Sequence, residues 1–254
     1  MRIVRYAVGN KAEYGICHGE VVQSLAGHPY GRLKTKDSFH KLSELRLLPP
    51  CLPSKIVALG LNYRSHAEEV KIPTPPEPLI FLKPSTSVIG PENKIICPES
   101  SHQVDYEGEL AVVIRTRTRR VSREEALKYI LGYTCFNDVT ARDLQQKDKQ
   151  WTRAKGFDTF APLGPWIETE IDPNHLRLET YLNGELKQQT TTDNLIFPVP
   201  ELVSFISHIM TLLPGDVIAT GTTSGIGPML PGDTVEVKIE KIGTLRNYVA
   251  LPRP

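Results

Sequence analysis

The sequence predicts a β-rich α+β fold: a small N-terminal domain over residues 1–53, joined to a larger domain over 54–254. Short apolar runs bounded by Gly, Pro, Asn or Asp recur along the chain, the pattern of strands separated by turns. Stretches with a helical period are few. The junction is written as Pro49-Pro50-Cys51-Leu52-Pro53, a proline cluster that ends one unit before the next begins.

Composition narrows the function classes. A chain of 254 residues suits one large domain, or a main domain with an appendage. A formal net charge of +1 argues against nucleic-acid and acidic-membrane partners. The one basic cluster, Arg115-Thr-Arg-Thr-Arg-Arg120, alternates as the polar edge of a strand running into a turn. Cys17, Cys51, Cys97 and Cys135 have no framework spacing and read as free thiols of a reducing compartment. With no apolar run of membrane length and no signal-peptide pattern, a soluble cytoplasmic protein is expected.

The elements follow in order. Arg2–Val8, Tyr14–Cys17 and Val21–Leu25 read as short strands, and a short helix is expected near Ser38–Leu47. Lys55–Gly60 is a continuous apolar run, a buried strand. It delivers Leu61–Glu69 to a strand end, where functional loops often sit. Lys71-Ile-Pro-Thr-Pro-Pro-Glu-Pro78 cannot continue a helix and reads as a mobile flap. Leu79–Pro84 is another short strand. Ser122-Arg-Glu-Glu125 has the form of a capping box opening a helix over Ala126–Leu131, stopped by Gly132. Asn183-Gly184 between Leu178–Leu182 and Leu186–Thr190 signals a hairpin. Pro200 opens an amphipathic helix with Leu202, Val203, Phe205, Ile206, Ile209 and Met210 on its apolar face, His208 lying on the surface. Leu-Pro-Gly-Asp occurs at 213–216 and again at 230–233, each a type II turn launching a strand.

The chemistry concentrates in Val104-Asp105-Tyr106-Glu107-Gly108-Glu109-Leu110. Alternate residues of a strand share a face, which sets Glu107 and Glu109 side by side, roughly 7 Å apart, with Asp105 on the same parity. Carboxylates so placed repel unless an Arg, a Lys or a cation lies between them. Thr134-Cys-Phe-Asn-Asp138 reads as another buried strand ending in a third carboxylate. Three oxygen ligands without a Cys or His pair suit a hard cation, Mg²⁺ or Mn²⁺, over Zn²⁺; a solvated strand face is the plain alternative.

Other residues gather around this motif. His66 and Glu69 share a face of a helical turn, where the carboxylate would fix the imidazole tautomer and raise its basicity; an ordinary surface histidine is the alternative. Arg142 and Gln145 share one face of a short turn beside Asp138. Lys155, before a glycine and among aromatics, is placed to hold an anion. The segment Thr220–Gly227 offers glycines for close backbone approach and hydroxyls for a carboxylate. It is not a P-loop, because Gly-Lys-Ser/Thr is absent.

Taken together, Gly60-Leu-Asn-Tyr-Arg-Ser-His66-Ala-Glu-Glu69, Lys83-Pro-Ser, Asp105–Leu110, Gly132–Gln145, Lys155-Gly-Phe-Asp and Gly215–Gly227 resemble the fumarylacetoacetate hydrolase family, in unbroken order over about residues 54–250. The resemblance implies that family's mixed β-sandwich or roll with few peripheral helices, a homodimer, and a catalytic domain over 54–254. It implies Glu107, Glu109 and Asp138 as ligands of Mg²⁺ or Mn²⁺, and His66 with Glu69 as a catalytic dyad on a lid. It also implies Lys155 beside the substrate oxygens, Arg142 and Gln145 on the substrate side, and Gly221 and Thr222 in the carboxylate-binding loop. Two positions depart from the family's pattern. Thr223 stands where proline is common after Gly-Thr, which would loosen the loop, and Leu61 where some acylpyruvate hydrolases carry Arg.

The implied chemistry passes through an enolate of a small 2-oxo acid. Hydrolysis of a C–C bond in an acylpyruvate or fumarylacetoacetate-like β-diketo acid, as in aromatic catabolism, is the first expectation. Isomerisation of a 2-hydroxyhepta-2,4-diene-1,7-dioate is the second, decarboxylation of oxaloacetate the third, and a catalytically silent ligand-binding member the fourth.

Overall fold

The structure is a computed structural model that describes residues 1–69, 71 and 73–252. Strands β1 (Arg2–Val8), β2 (Lys11–His18), β3 (Val21–Leu25) and β4 (Thr35–Lys41) form an antiparallel meander. After the proline cluster come β5 (Lys55–Gly60), α1 (Arg64–Glu69), β6 (Leu79–Pro84), β7 (Val88–Ile89) and β8 (Lys94–Ile96). The acidic stretch lies on β9 (Val104–Tyr106) and β10 (Gly108–Ile114), followed by β11 (Ile130–Asn137) and β12 (Thr140–Ala141). Helices α2 (Arg142–Asp148) and α3 (Thr152–Gly156) lead to β13 (Ala161–Glu168) and the hairpin of β14 (Arg177–Leu182) and β15 (Glu185–Thr191). The chain closes with α4 (Val199–Ile209), β16 (Val217–Ala219), β17 (Gly227–Pro228), β18 (Thr234–Ile239) and β19 (Gly243–Ala250).

These strands make an 11-stranded mixed sheet in the order β4-β3-β2-β1-β13-β11-β10-β16-β5-β6, with β7 paired to β13. A 5-stranded sheet runs β15-β14-β18-β19-β8, and a 3-stranded one β12-β9-β17. The N-terminal meander thus continues the large sheet through β1 and β13. The fold is the β-rich α+β class that the turn-punctuated sequence predicts.

Strand β10 shows why the two larger sheets stack. It is buried along its whole length, as an apolar run covered on both faces must be. Leu110, Val112 and Ile114 pack with Leu178, Val237, Ile239 and Leu245 of the five-stranded sheet and with Leu202, Val203 and Ile206 of α4. The alternate residues Ala111 and Val113 join a second core with Ile3, Ile56, Phe136 and Leu163.

Two sequence expectations are corrected. Residues 38–47 form no helix: β4 runs to Lys41 and a 3-10 turn covers only Leu42–Glu44. Val22 and Gln23 pair with His40 and Phe39, and this strand pairing overrides a weak local preference. Likewise the expected helix at 126–131 is a single 3-10 turn, Ala126–Tyr129, with no side-chain cap. Ile130 and Leu131 already belong to β11, because the apolar run from 130 to 136 is taken into the sheet opposite β10. Gly132 is therefore not a helix stop but a strand residue facing Val113.

Of the expected flap over 71–78, Ile72 lies outside the described residues, and 73–78 carry neither helix nor strand. No helix among the described residues is long and apolar enough to cross a membrane, and all four cysteines are free. The hairpin through Asn183-Gly184 pairs as expected. Both Leu-Pro-Gly-Asp turns form, each aspartate accepting its own Leu N–H, at 2.8 Å for Asp216 and 2.7 Å for Asp233.

The first of these turns positions the site. β5 and β16 are parallel neighbours, so both deliver their following loops to the same end of the sheet. Asp216 is fully buried and ties their starts together, accepting from Ser54 N–H (2.9 Å) and Ser54 Oγ (2.7 Å) and pairing with Lys55 Nζ at 2.5 Å. Removing the buried carboxylate takes away the one acceptor that gathers the partly exposed donors of Ser54, Lys55 and Leu213. Asp216→Ala is predicted to cost about 3 kcal/mol, lowering Tm by roughly 6–12 °C for a chain of this size; thermal denaturation followed by circular dichroism checks this.

Candidate active site

The acidic residues meet where β9 gives way to β10. Glu107 sits at the break between the two strands, and Gly108 opens β10 opposite Asn137. The Glu107 N–H donates to Asn137 Oδ1 at 2.9 Å, and Asp138 N–H donates to the Glu107 carbonyl at 2.8 Å. These bonds lock the end of β11 against the break and turn Asp138 toward the two glutamates. Carboxylate oxygens of Glu107, Glu109 and Asp138 lie within 4.8 Å of one another, and all three residues are buried. The alternative of a solvated strand face is excluded.

Cations crowd into the same space. Lys155 Nζ bridges Glu107 Oε2 (2.8 Å) and Asp138 Oδ2 (2.6 Å). Lys83, fully buried, pairs with the other oxygen of Asp138 and donates to the Val139 carbonyl at 3.1 Å. Arg142 pairs with Glu107 and donates through Nε to Asp105 Oδ2 at 2.8 Å. Asp105 therefore faces Arg142 rather than completing the acidic cluster. Among the described residues, four buried carboxylates meet three cations, and Glu109 has no cation beside it.

The pKa directions follow. Burial alone would raise Glu107, but Lys155 and Arg142 more than reverse it and hold the carboxyl far below its usual range. Glu109 goes the other way: burial, then the charges of Asp138 and Glu107, lift it well above the usual range. Burial works against the charge of Lys155, yet Asp138 and Glu107 keep its pKa above that of an ordinary lysine. Lys83 is lowered, burial outweighing its pairing with Asp138.

The two oxygens of Glu109 test whether these residues suit a cation. Its Oε2 accepts the Gly221 N–H at 2.8 Å, whereas Oε1 is buried with no partner. A buried acceptor left unpaired costs about 1–3 kcal/mol, and an all-oxygen donor set suits a hard cation. The residues present therefore fit a divalent ion held by Glu107, Glu109 and Asp138.

Above this cluster lies a cavity of about 310 Å³. One side is polar, lined by His66, Glu107, Arg142, Gln145, Lys155 and Thr222; the other is apolar, with Leu61, Leu79, Phe81 and Trp151. Arg142 Nη1 donates to Gln145 Oε1 at 2.6 Å, so the two present one rigid polar edge. On α1, His66 Nδ1 lies 2.9 Å from Glu69 Oε2. A carboxylate accepts, so Nδ1 carries the proton and Nε2 keeps its lone pair. Glu69 Oε1 accepts the Gly225 N–H at 3.0 Å, and Ser65 Oγ meets Thr223 Oγ1 at 2.8 Å. Thr223 thus fastens α1 to the glycine loop, where replacement of proline suggested a looser one. Gly221 stands behind the cavity wall at φ +96°, and a Cβ there would meet Asn62 Cβ at 2.8 Å.

The structure so brings every sequence-picked residue into one region: six line the cavity, and Glu69, Glu109, Asp138 and Gly221 support them from behind. Sequence reasoning gave no role to Lys83, although a lysine inside an apolar strand is a usable signal. Trp151 and Phe81, in edge contact at 5.1 Å between centroids, carried none.

Comparison with known proteins places this geometry. The family model described as "Fumarylacetoacetate (FAA) hydrolase C-terminal" matches residues 55–250, and one described as "Rv2993c-like, N-terminal" matches residues 1–50. The crystal structure of 2-hydroxyhepta-2,4-diene-1,7-dioate isomerase from Mycobacterium marinum is similar at a TM-score of 0.93 and 44% identity, covering 100% of both chains. Maleylpyruvate hydrolase from Sphingobium sp. SYK-6, solved in complex with manganese(II) and pyruvate, is similar at a TM-score of 0.84 and 27% identity, again over 100% of both chains. Mitochondrial oxaloacetate tautomerase FAHD2B of Bos taurus is 40% identical over 220 residues, 82% of this chain and 70% of that protein.

Glu109→Gln tests the charge balance. A carboxyl raised in the folded state contributes stability below its unfolded pKa and loses it as pH rises through the folded value. Metal-free protein is predicted to lose stability, read as a fall in Tm, as pH rises above the ordinary carboxylate range. The Gln variant should lack this fall and bind Mn²⁺ at least about 100-fold more weakly, beyond the 10–100-fold typical of outer-shell partners. Melting curves across pH and a Mn²⁺ titration check both.

Proposed function

The chain is an enzyme of the fumarylacetoacetate hydrolase family, and from that premise we propose that it moves a proton at C3 of a small 2-oxo acid, as a tautomerase or double-bond isomerase using Mg²⁺ or Mn²⁺. The observation that carries this reading is one cavity shared by His66, hydrogen-bonded to Glu69, and by Lys155 above the acidic cluster.

Each residue then has a task. Glu107, Glu109 and Asp138 would hold the cation, which when bound supplies Lewis-acid stabilisation of charge developing on the 2-oxo oxygen. Lys155 adds a fixed positive charge beside the same oxygen, where burial strengthens its effect. The Arg142–Gln145 edge and Thr222 hold the substrate carboxylate. His66 Nε2, its tautomer set by Glu69, carries a proton between C3 and the 2-oxo oxygen; in a 2-hydroxy-2,4-diene acid it takes the 2-hydroxyl proton and delivers one to C5, so that the 2-oxo-3-ene forms. Leu61, Leu79, Phe81 and Trp151 pack the tail and exclude water.

Two observations set proton transfer ahead of the hydrolysis that stood first among the sequence expectations. The isomerase and the tautomerase are 44% and 40% identical to this chain, against 35% for a fumarylacetoacetate hydrolase from Exiguobacterium antarcticum and 27% for the maleylpyruvate hydrolase. Leu61 lines the cavity wall, at the position where the family resemblance implies an Arg in some acylpyruvate hydrolases. C–C hydrolysis of an acylpyruvate-type β-diketo acid is the second reading, favoured by the maleylpyruvate hydrolase likeness. In it His66 takes a proton from water, the hydroxide adds to the acyl carbonyl, and the electrons of the broken C–C bond pass to the enolate of the pyruvate fragment.

Product analysis by NMR with Mg²⁺ distinguishes the two. The expected result is a shifted double bond in 2-hydroxyhepta-2,4-diene-1,7-dioate or faster keto–enol conversion of oxaloacetate, with acetylpyruvate intact. Acetate and pyruvate from acetylpyruvate would establish the hydrolase reading instead. His66→Ala is predicted to lower kcat by about 10²–10⁴-fold while leaving Mn²⁺ binding unchanged; a fully active variant would remove His66 as the base.

A further inference from the structure

Gln188 lies on β15, in the five-stranded sheet, within the run Lys187-Gln188-Gln189. Its side chain is buried, and its polar atoms are directed at two parts of the candidate active site. Oε1 accepts the Gly108 N–H at 2.9 Å. Nε2 donates to Thr222 Oγ1 at 2.8 Å and to the Thr223 carbonyl at 2.9 Å. Thr222 Oγ1 in turn donates to the Gly108 carbonyl at 3.0 Å. One amide therefore joins the glycine between Glu107 and Glu109 to the middle of the glycine loop. Gly108 must be glycine for this approach, since a Cβ there would run into Thr180 Oγ1.

The two ends of that loop reach the chemistry. Gly221 N–H donates to Glu109, a candidate cation ligand, and Gly225 N–H donates to Glu69, which orients the candidate base. Gln188 grips the residues between. A buried amide with both its ends engaged cannot turn away without leaving donors and acceptors unpaired, so it holds one register.

We propose that Gln188 is a positioning residue: its amide keeps residues 221–225 aligned with Glu107 and Glu109, so that cation and 2-oxo acid meet a preformed site. The proposal rests on the function proposed above, and its test uses binding rather than turnover. Gln188→Met keeps the volume and removes the hydrogen bonds. Mn²⁺ is titrated calorimetrically into the intact protein, then pyruvate at saturating Mn²⁺. The variant is expected to bind each about tenfold more weakly, the scale of losing an outer-shell partner, with the site count per folded chain unchanged. Gln188→Asn stays polar but is one methylene too short to hold Gly108 and the loop together; it should weaken both ligands by a similar factor.

A folded Gln188→Met protein with wild-type Kd for both ligands overturns the proposal. So does a reduced site count at unchanged Kd, the signature of a residue that only maintains the fold. Should Gln188→Met fail to fold, wild-type Kd for both ligands in Gln188→Asn overturns it. Wild-type protein that takes up no Mn²⁺ overturns the functional reading itself, a distinct result.

Discussion

Everything at the site follows from placing four carboxylates in the interior with only three cations to answer them. At the separation of the acidic cluster, each like-charge pair costs about 3–4 kcal/mol in an effective dielectric of about 20. Lys83, Lys155 and Arg142 relieve Asp105, Glu107 and Asp138. Glu109 receives only a backbone N–H, and its second oxygen faces no donor. Under the proposed function, a divalent ion would take up the oxygen of Glu109 that faces no donor.

The fold holds this arrangement by bringing chain ends together rather than by building on one element. Parallel β5 and β16, tied at their starts by Asp216, send α1 and the glycine loop to the same end of the sheet. The break between β9 and β10 turns two glutamates inward, and β11 stops at Asn137 so that Asp138 can join them. The glycine loop then runs from Glu109 to Glu69, linking the acidic cluster to the histidine. The acidic cluster on one side of the cavity and the histidine on the other are held by a single short segment.

Local rules in the sequence captured much of this. The Asn183-Gly184 hairpin, the buried strand Lys55–Gly60, the helix after Pro198 and both Leu-Pro-Gly-Asp turns obey short-range chemistry, and all form. Glu107, Glu109, Asp138, His66 and Glu69 were legible through strand parity, helical spacing and the family resemblance. What failed was decided by pairing across the sheet: residues 38–47 and 126–131 look helical until β3 and β10 claim them. Gln188 was invisible for the same reason. Beside Gln189 in a polar hairpin strand, only the register of β15 says which glutamine turns inward, and its partners lie 34 and 80 residues away.

The central claim is that the acidic cluster, the lysine and the histidine form one cation-dependent site for proton transfer at C3 of a 2-oxo acid. Exchange of the pyruvate methyl protons with D₂O, followed by NMR with and without Mg²⁺, tests it most directly. The account predicts exchange that requires protein and Mg²⁺ together and stops when the ion is chelated. Absence of exchange in protein shown to hold the ion and pyruvate, or exchange indifferent to the ion, would contradict it.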